Sequence, residues 1–282
     1  MILPLLHIYH AIPSNWRTPL SGALFADGSL RVGIPGVVRD VPEIGHYEHP
    51  LGTARVQEFL ELVTRQRVWE LEGLKRLRPD EPIVGFWAGE GESKRTKTWP
   101  MSDIPPEVTV VLSAFHRLVD EARASPVRVL AGAARLPETT CFGRTRLNLE
   151  FTLRNAGREP IAFTNPMAPF GAMVPLRLLI ARPSARPGGS PFAQQRFDVP
   201  TACISCPDRP DPRAAGRPGE LLELAPGQSL RFAADPALYL SPASYLTALA
   251  LDLTPGPDAS PQALKGVLTM EMQTLQVVPA PA

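Results

Sequence analysis

Arg146-Leu147-Asn148-Leu149-Glu150-Phe151-Thr152-Leu153-Arg154 alternates without a break, apolar at every second position and polar between. Successive side chains of a strand point to opposite faces, so this period of two predicts a β-strand with one buried face. Asn155-Ala156-Gly157 follows it as a turn. Toward the C-terminus, further short strands are predicted at Ile161 to Thr164, Leu176 to Ala181, Leu221 to Leu224, Leu230 to Ala233, Tyr245 to Leu253 and Val267 to Val278. Several short strands separated by Pro/Gly turns, with no helical periodicity from about Ser125 onward, are the pattern of a β-sandwich. The interval from Pro183 to Gly219 is rich in Pro, Arg and Gly and reads as one long loop, a length that usually marks function or disorder.

Before Ser125 the pattern differs. Leu20 to Phe25 and Leu30 to Val32 flank the turn dipeptide Asp27-Gly28, which predicts a hairpin. Thr53 stands where it would cap a helix whose apolar positions Val56, Phe59, Leu60 and Val63 fall on one side, with Arg55, Glu58 and Glu61 on the other. A second hairpin is predicted from Ile83 to Trp87 and Lys94 to Trp99, across Gly89-Glu90-Gly91-Glu92. A longer helix then starts at Pro105-Pro106, where proline is tolerated because those amides lack intrahelical partners, and runs to about Ala124. Its stripe is Val108, Val111, Leu112, Phe115, Leu118, Val119 and Ala122. The expected organisation is a small α+β (ββαββα) domain over 1–124, then an all-β immunoglobulin-like sandwich over 125–282.

The strand Leu147 to Leu153 with Arg154-Asn155-Ala156-Gly157, and Leu224-Ala225-Pro226-Gly227-Gln228-Ser229 before another strand, resemble bacterial immunoglobulin-like domains, including those related to intracellular proteinase inhibitors. The first half, with Asp27-Gly28 in its opening hairpin, resembles an uncharacterised bacterial ββαββα family. Neither resemblance carries over a catalytic residue.

Composition narrows the function. Lys and Arg total 29 against 28 Asp and Glu, leaving a formal net charge of +1 and no global field to attract nucleic acid or an anionic membrane. The 33 prolines, excluded from helix interiors and central strands, describe a loop-rich, β-leaning chain. There is neither a basic leader with a long apolar core nor a run of about 18 apolar residues, so a cytoplasmic protein is expected. Three cysteines do not make a secreted disulfide framework.

Cys203-Ile204-Ser205-Cys206 has the spacing at which two thiols chelate a metal or exchange as a dithiol. A structural zinc wants four ligands, and only Cys141 remains, with no histidine after His116. His7-x-x-His10 and His46-x-x-His49 are spaced to share an ion on a helix, but neither pair lies on a predicted helix. His116 flanks the apolar stripe of the second helix as a packing or boundary residue. Lys94-Arg95-Thr96-Lys97, with Trp87 and Trp99 to stack on bases, suits nucleic acid, but Glu90 and Glu92 oppose it and a solvated strand face explains it better. Glu70 and Glu72 read as helical surface carboxylates. Nucleophile elbows, Walker loops and dinucleotide fingerprints are absent, since Gly89-x-Gly91 lacks the third glycine and its helix. No cofactor is expected.

The expected function is therefore a non-enzymatic module that binds another protein, of which an immunity or inhibitor protein against a toxin or hydrolase is one form. The alternatives are a metal- or redox-responsive protein using Cys203 and Cys206, and an enzyme of unrecognised type. Interaction candidates are the loop 183–219 and the aromatics Trp16, Tyr47 and Trp87, because aromatics and arginines dominate interface energies.

Overall fold

The Asp27-Gly28 turn joins two strands as its flanking apolar runs require, and Asp27 holds it by accepting hydrogen bonds from the Ser29 amide at 2.9 Å and the Ser29 hydroxyl at 2.6 Å. In this computed structural model the chain is mostly β, in largely antiparallel sheets, and divides into two units: Met1–Val38 with Gly45–Val129, and Arg39–Ile44 with Leu130–Ala282. The structure describes residues 4–12, 17–34, 42–74, 76, 78, 81–89, 94–168, 174–182, 195–209, 220–253 and 263–279. Trp16, Glu90 to Glu92 of the predicted turn and much of 183–219 lie outside them.

The first unit runs β1 (Leu6–Ile12), β2 (Arg17–Leu24), β3 (Ser29–Ile34), β4 (Glu43–Pro50), whose residues from Gly45 belong to it, α1 (Thr53–Arg65), β5 (Ile83–Ala88), β6 (Arg95–Pro100) and α2 (Pro106–Arg123), ending in β7 (Pro126–Arg135), whose residues through Val129 belong to it. Its strand order is β7-β4-β3-β2-β1-β5-β6. Four strands precede α1 among the described residues, where two were expected. Histidines and tyrosines on both faces of β1 and β4 blur the alternation that would have announced those strands.

Ile8, Gly22, Val32 and Tyr47 stand opposite one another across β1 to β4, in a row buried on one face of the sheet. Gly22 makes room for α2: a Cβ there would lie 2.5 Å from the Phe115 ring. Phe115 in turn meets Phe59 of α1, ring centroids 6.5 Å apart. The whole predicted stripe of α2 is buried, as are Val56, Phe59 and Val63 of α1. Two expectations fail locally. Gly52, not Thr53, occupies the α1 cap position, with no side-chain cap. Glu70 and Glu72 are not helical, because α1 ends at Arg65 and Arg67 takes a positive φ of 53°, its guanidinium pairing with Glu70.

The second unit continues with β8 (Thr140–Phe142), β9 (Arg144–Arg146), β10 (Leu149–Asn155), β11 (Ile161–Thr164), β12 (Leu176–Ala181), β13 (Gln195–Asp198), a 3-10 turn at Thr201–Cys203, β14 (Ile204–Ser205), β15 (Leu221–Leu224), β16 (Ser229–Ala234), β17 (Ala237–Tyr239), β18 (Ala243–Asp252), β19 (Val267–Glu271) and β20 (Leu275–Val278). One sheet orders β14-β16-β10-β7, and another β13-β12-β18-β20-β8 with β19 also paired to β18. Two-stranded ribbons β11-β15 and β17-β9 complete the pairing, and β20 with β8 is parallel. Leu147, Leu149, Phe151 and Leu153 are all buried, and Phe151 stacks on Phe232 at 4.8 Å. One hydrophobic cluster takes side chains from both larger sheets, including Phe151 and Phe232 from one and Leu178 and Leu249 from the other. The interval 183–219, expected to be wholly loop, contains β13 and β14.

Asn155 ends the alternating strand and is fully buried. Its Nδ2 donates to the carbonyls of Glu159 at 2.8 Å and Leu224 at 3.0 Å, and its Oδ1 accepts from the Gly157 amide at 2.9 Å. Its main chain adds bonds with Gly227 and Gln228, so one residue ties the turn after β10 to the turn between β15 and β16. Asn155→Ala strips partners from two carbonyls and one amide; urea unfolding should show a loss of roughly 2–4 kcal/mol. A change below about 0.5 kcal/mol, the range of ordinary surface substitutions, would show that water replaces these bonds.

Candidate functional site

The histidine pairs lie on strands, and three residues along a strand reverse the face. His7 and His10 therefore point to opposite sides of the first unit's sheet, and so do His46 and His49. Neither pair can act as an adjacent chelate. Pairing regroups them: Tyr9 stands opposite Ser21, Ser21 opposite Gly33 and Gly33 opposite His46, while His7 stands opposite Ala23 and Trp87. These residues share the face that the helices leave open.

That open face is aromatic and half-exposed. His7 lies 5.7 Å from Tyr9 and edge-on to Trp87 at 6.5 Å, ring centroid to centroid. Tyr9 lies across Gly85 of β5, where a Cβ would sit 2.2 Å from the ring. Lys94 Nζ stands 5.9 Å from the Trp87 ring. Beside His7 and His46 a shallow depression of about 270 Å³ is bordered by Ser21, Arg31 and Glu48. Arg31 Nε donates to Glu48 at 3.1 Å, and its guanidinium covers the Phe25 ring at 4.3 Å. Partial desolvation lowers the pKa of His7, and desolvation followed by the nearby Arg128 lowers that of His46. Near neutral pH the face is therefore populated by neutral imidazoles.

Of the aromatics singled out from sequence, Trp87 belongs to this face. Tyr47 does not: it is 1% exposed because its register aligns it with Ile8 and Val32 on the helix-covered side. Trp99 is likewise unavailable for stacking, buried at 2% with its Nε1 donating to the Glu72 carbonyl at 2.9 Å. Lys97 donates to the Leu71 carbonyl at 2.7 Å. Sequence reading missed Tyr9 and His7 as members of the face. Their signal was the polar half of the Leu6, Ile8 alternation.

On the covered side, His10 is 8% exposed and meets His116 of α2, with Nε2 atoms 3.4 Å apart. Burial, and then His116, depress the His10 pKa to about 4. His116 is also lowered by desolvation, against an opposing pull from Asp120. His49 Nε2 lies 3.8 Å from Glu121, whose carboxylate holds Arg55 bidentately at 2.8 and 2.9 Å.

All three cysteines belong to the second unit and are free thiols. Cys203 closes the 3-10 turn and Cys206 follows β14, so the pair borders the sheet beside β16 and does not float in a loop. Cys206 is 4% exposed and part of the hydrophobic cluster. Burial pushes its thiol pKa up, and burial does the same for Cys141, which keeps both in the unreactive protonated form. Among the described residues no group of three His, Cys, Asp or Glu side chains converges on one point.

No family model matches the chain, and no curated protein matches it. Among solved structures, a β-glucosidase from Erythrobacter marinus aligns over 51% of this chain and 15% of its own, at 11% identity and a TM-score of 0.23. A putative ApaA protein from Bordetella pertussis aligns over 56% of this chain and 99% of its own, at 12% identity and a TM-score of 0.24. Likenesses of this size carry no weight for fold or activity.

The depressed His10 pKa sets a pH dependence. The folded value of about 4 lies below the unfolded 6.5, so as pH falls the unfolded chain takes up this proton first. The stabilisation is complete above pH 6.5 and is lost between there and about pH 4. Between pH 7 and 4.5 the wild type should lose on the order of 2–3 kcal/mol more than His10→Gln in urea unfolding. Parallel pH profiles for the two proteins would contradict this.

Proposed function

We propose that this protein is a non-enzymatic module that binds another protein through the open face of its first unit. The carrying observation is the set of half-exposed rings of His7, Tyr9 and Trp87, fixed on neighbouring strands and in contact with one another. Rigid aromatic side chains on a sheet lose little conformational entropy on docking and bury much area, which is how interface hot spots obtain their energy. Lys94 at the rim adds a charge that orients a partner. An immunity or inhibitor protein, occluding a toxin or hydrolase, is the specific form of this reading.

In the same reading the first unit is an α+β domain and the second an immunoglobulin-like sandwich. Support for the sandwich comes from the single cluster shared by its two larger sheets. Tyr245 supports it too: near the start of β18 its hydroxyl donates to the Ser241 carbonyl at 2.8 Å, four residues upstream, in the manner of a tyrosine corner. No helix among the described residues is long and apolar enough to cross a membrane, and a cytoplasmic location belongs to the proposal.

Affinity capture of the tagged protein from its native lysate, with mass spectrometry of the eluate, tests the reading. One stoichiometric protein should be captured by the wild type, and Trp87→Ala or Tyr9→Ala should weaken its binding at least about tenfold, a loss of about 1.4 kcal/mol. Equal capture by wild type and both variants would remove the open face from the interaction.

A further inference from the structure

His10 and His116 are 106 residues apart in sequence and are brought together where α2 crosses the buried side of β1. Their Nε2 atoms lie 3.4 Å apart and their ring centroids 5.4 Å, the planes inclined at 44°. That separation is within hydrogen-bonding reach of two neutral imidazoles, one donating and the other accepting according to tautomer. It equals the spacing of two imidazole nitrogens on one tetrahedral ion, because bonds of about 2.0–2.1 Å at the tetrahedral angle put the ligand atoms roughly 3.3–3.4 Å apart.

We propose that His10 and His116 form a two-imidazole chelate for a divalent transition-metal ion of the zinc, nickel and copper class, with water in the remaining coordination positions. Each ligand is carried by a secondary-structure element, His10 by β1 and His116 by α2. Phe115, the neighbour of His116, is locked against Gly22 and Phe59, which fixes how α2 presents the ring. His10 lies beneath at 8% exposure while His116 is exposed, so an ion enters past His116 and keeps an open side to water. Burial lowers the pKa of both rings, which favours the neutral form that ligates a metal. Asp120, one helical turn beyond His116, supplies negative potential that favours a cation. Imidazole donors favour zinc, nickel and copper over calcium or magnesium, which take oxygen ligands.

The test uses the untagged full chain with Zn²⁺ alone in calorimetry and Co²⁺ alone in absorption spectroscopy. The expected result is one Zn²⁺ per chain in the wild type. His116→Ala, an exposed helix position whose loss spares the fold, should weaken it at least about tenfold, a loss of about 1.4 kcal/mol. His46→Ala, on the opposite face, should bind as the wild type does. Co²⁺ should give visible bands without a thiolate charge-transfer band. No saturable binding, undiminished binding in His116→Ala, or a thiolate band implicating Cys203 and Cys206 would each overturn the assignment.

Discussion

The first unit depends on one constraint: its sheet is covered by two helices on one face only. Once Phe115 of α2 rests on the space left by Gly22, every strand must send its apolar side chains toward the helices and its remaining side chains away. A one-residue slip of any strand would turn Ile8, Val32 or Phe86 out and the polar set in. The same constraint sorts the histidines. His7 and His46 are set on the open face beside Tyr9 and Trp87, and His10 is set under α2. The open aromatic face and the buried imidazole pair thus arise from one alternation, read on its two sides.

In the second unit polar satisfaction plays the corresponding part. Asn155 sits where the alternating strand ends, and its fully buried side chain serves two carbonyls and one amide. Nearby, Asp208 accepts from the amide and guanidinium of Arg231, at 2.8 and 2.7 Å, which fastens the segment after Cys206 alongside β16. Cys206 is consequently absorbed into the hydrophobic cluster. A thiol held there behaves as a small apolar side chain, whatever its spacing from a second cysteine suggests.

Segments with a clear apolar pattern between turn residues are legible from sequence. The seven-residue stripe of α2 is buried as read, and Ile161–Thr164, Leu176–Ala181 and Leu221–Leu224 are strands with the bounds expected. Other elements carry too weak a pattern to be read this way. β1 and β4 mix histidine and tyrosine into both faces, β13 and β14 are short and sit among prolines, and the run Val267 to Val278 hides a break between β19 and β20. Short strands draw their stability from pairing, which leaves little trace in their own composition.

The type and apolar face of the strongly patterned elements are written in the chain itself, because both follow from local periodicity of 2 or 3.6 residues. The near-zero net charge is written there too. Tertiary structure alone decided which side chains meet. That Tyr47 is buried while Tyr9 is half-exposed, that Trp87 joins His7, and that His10 finds His116 across 106 residues all follow from strand register and helix docking. Register and docking are fixed by the packing of distant residues against one another, and no local period encodes that.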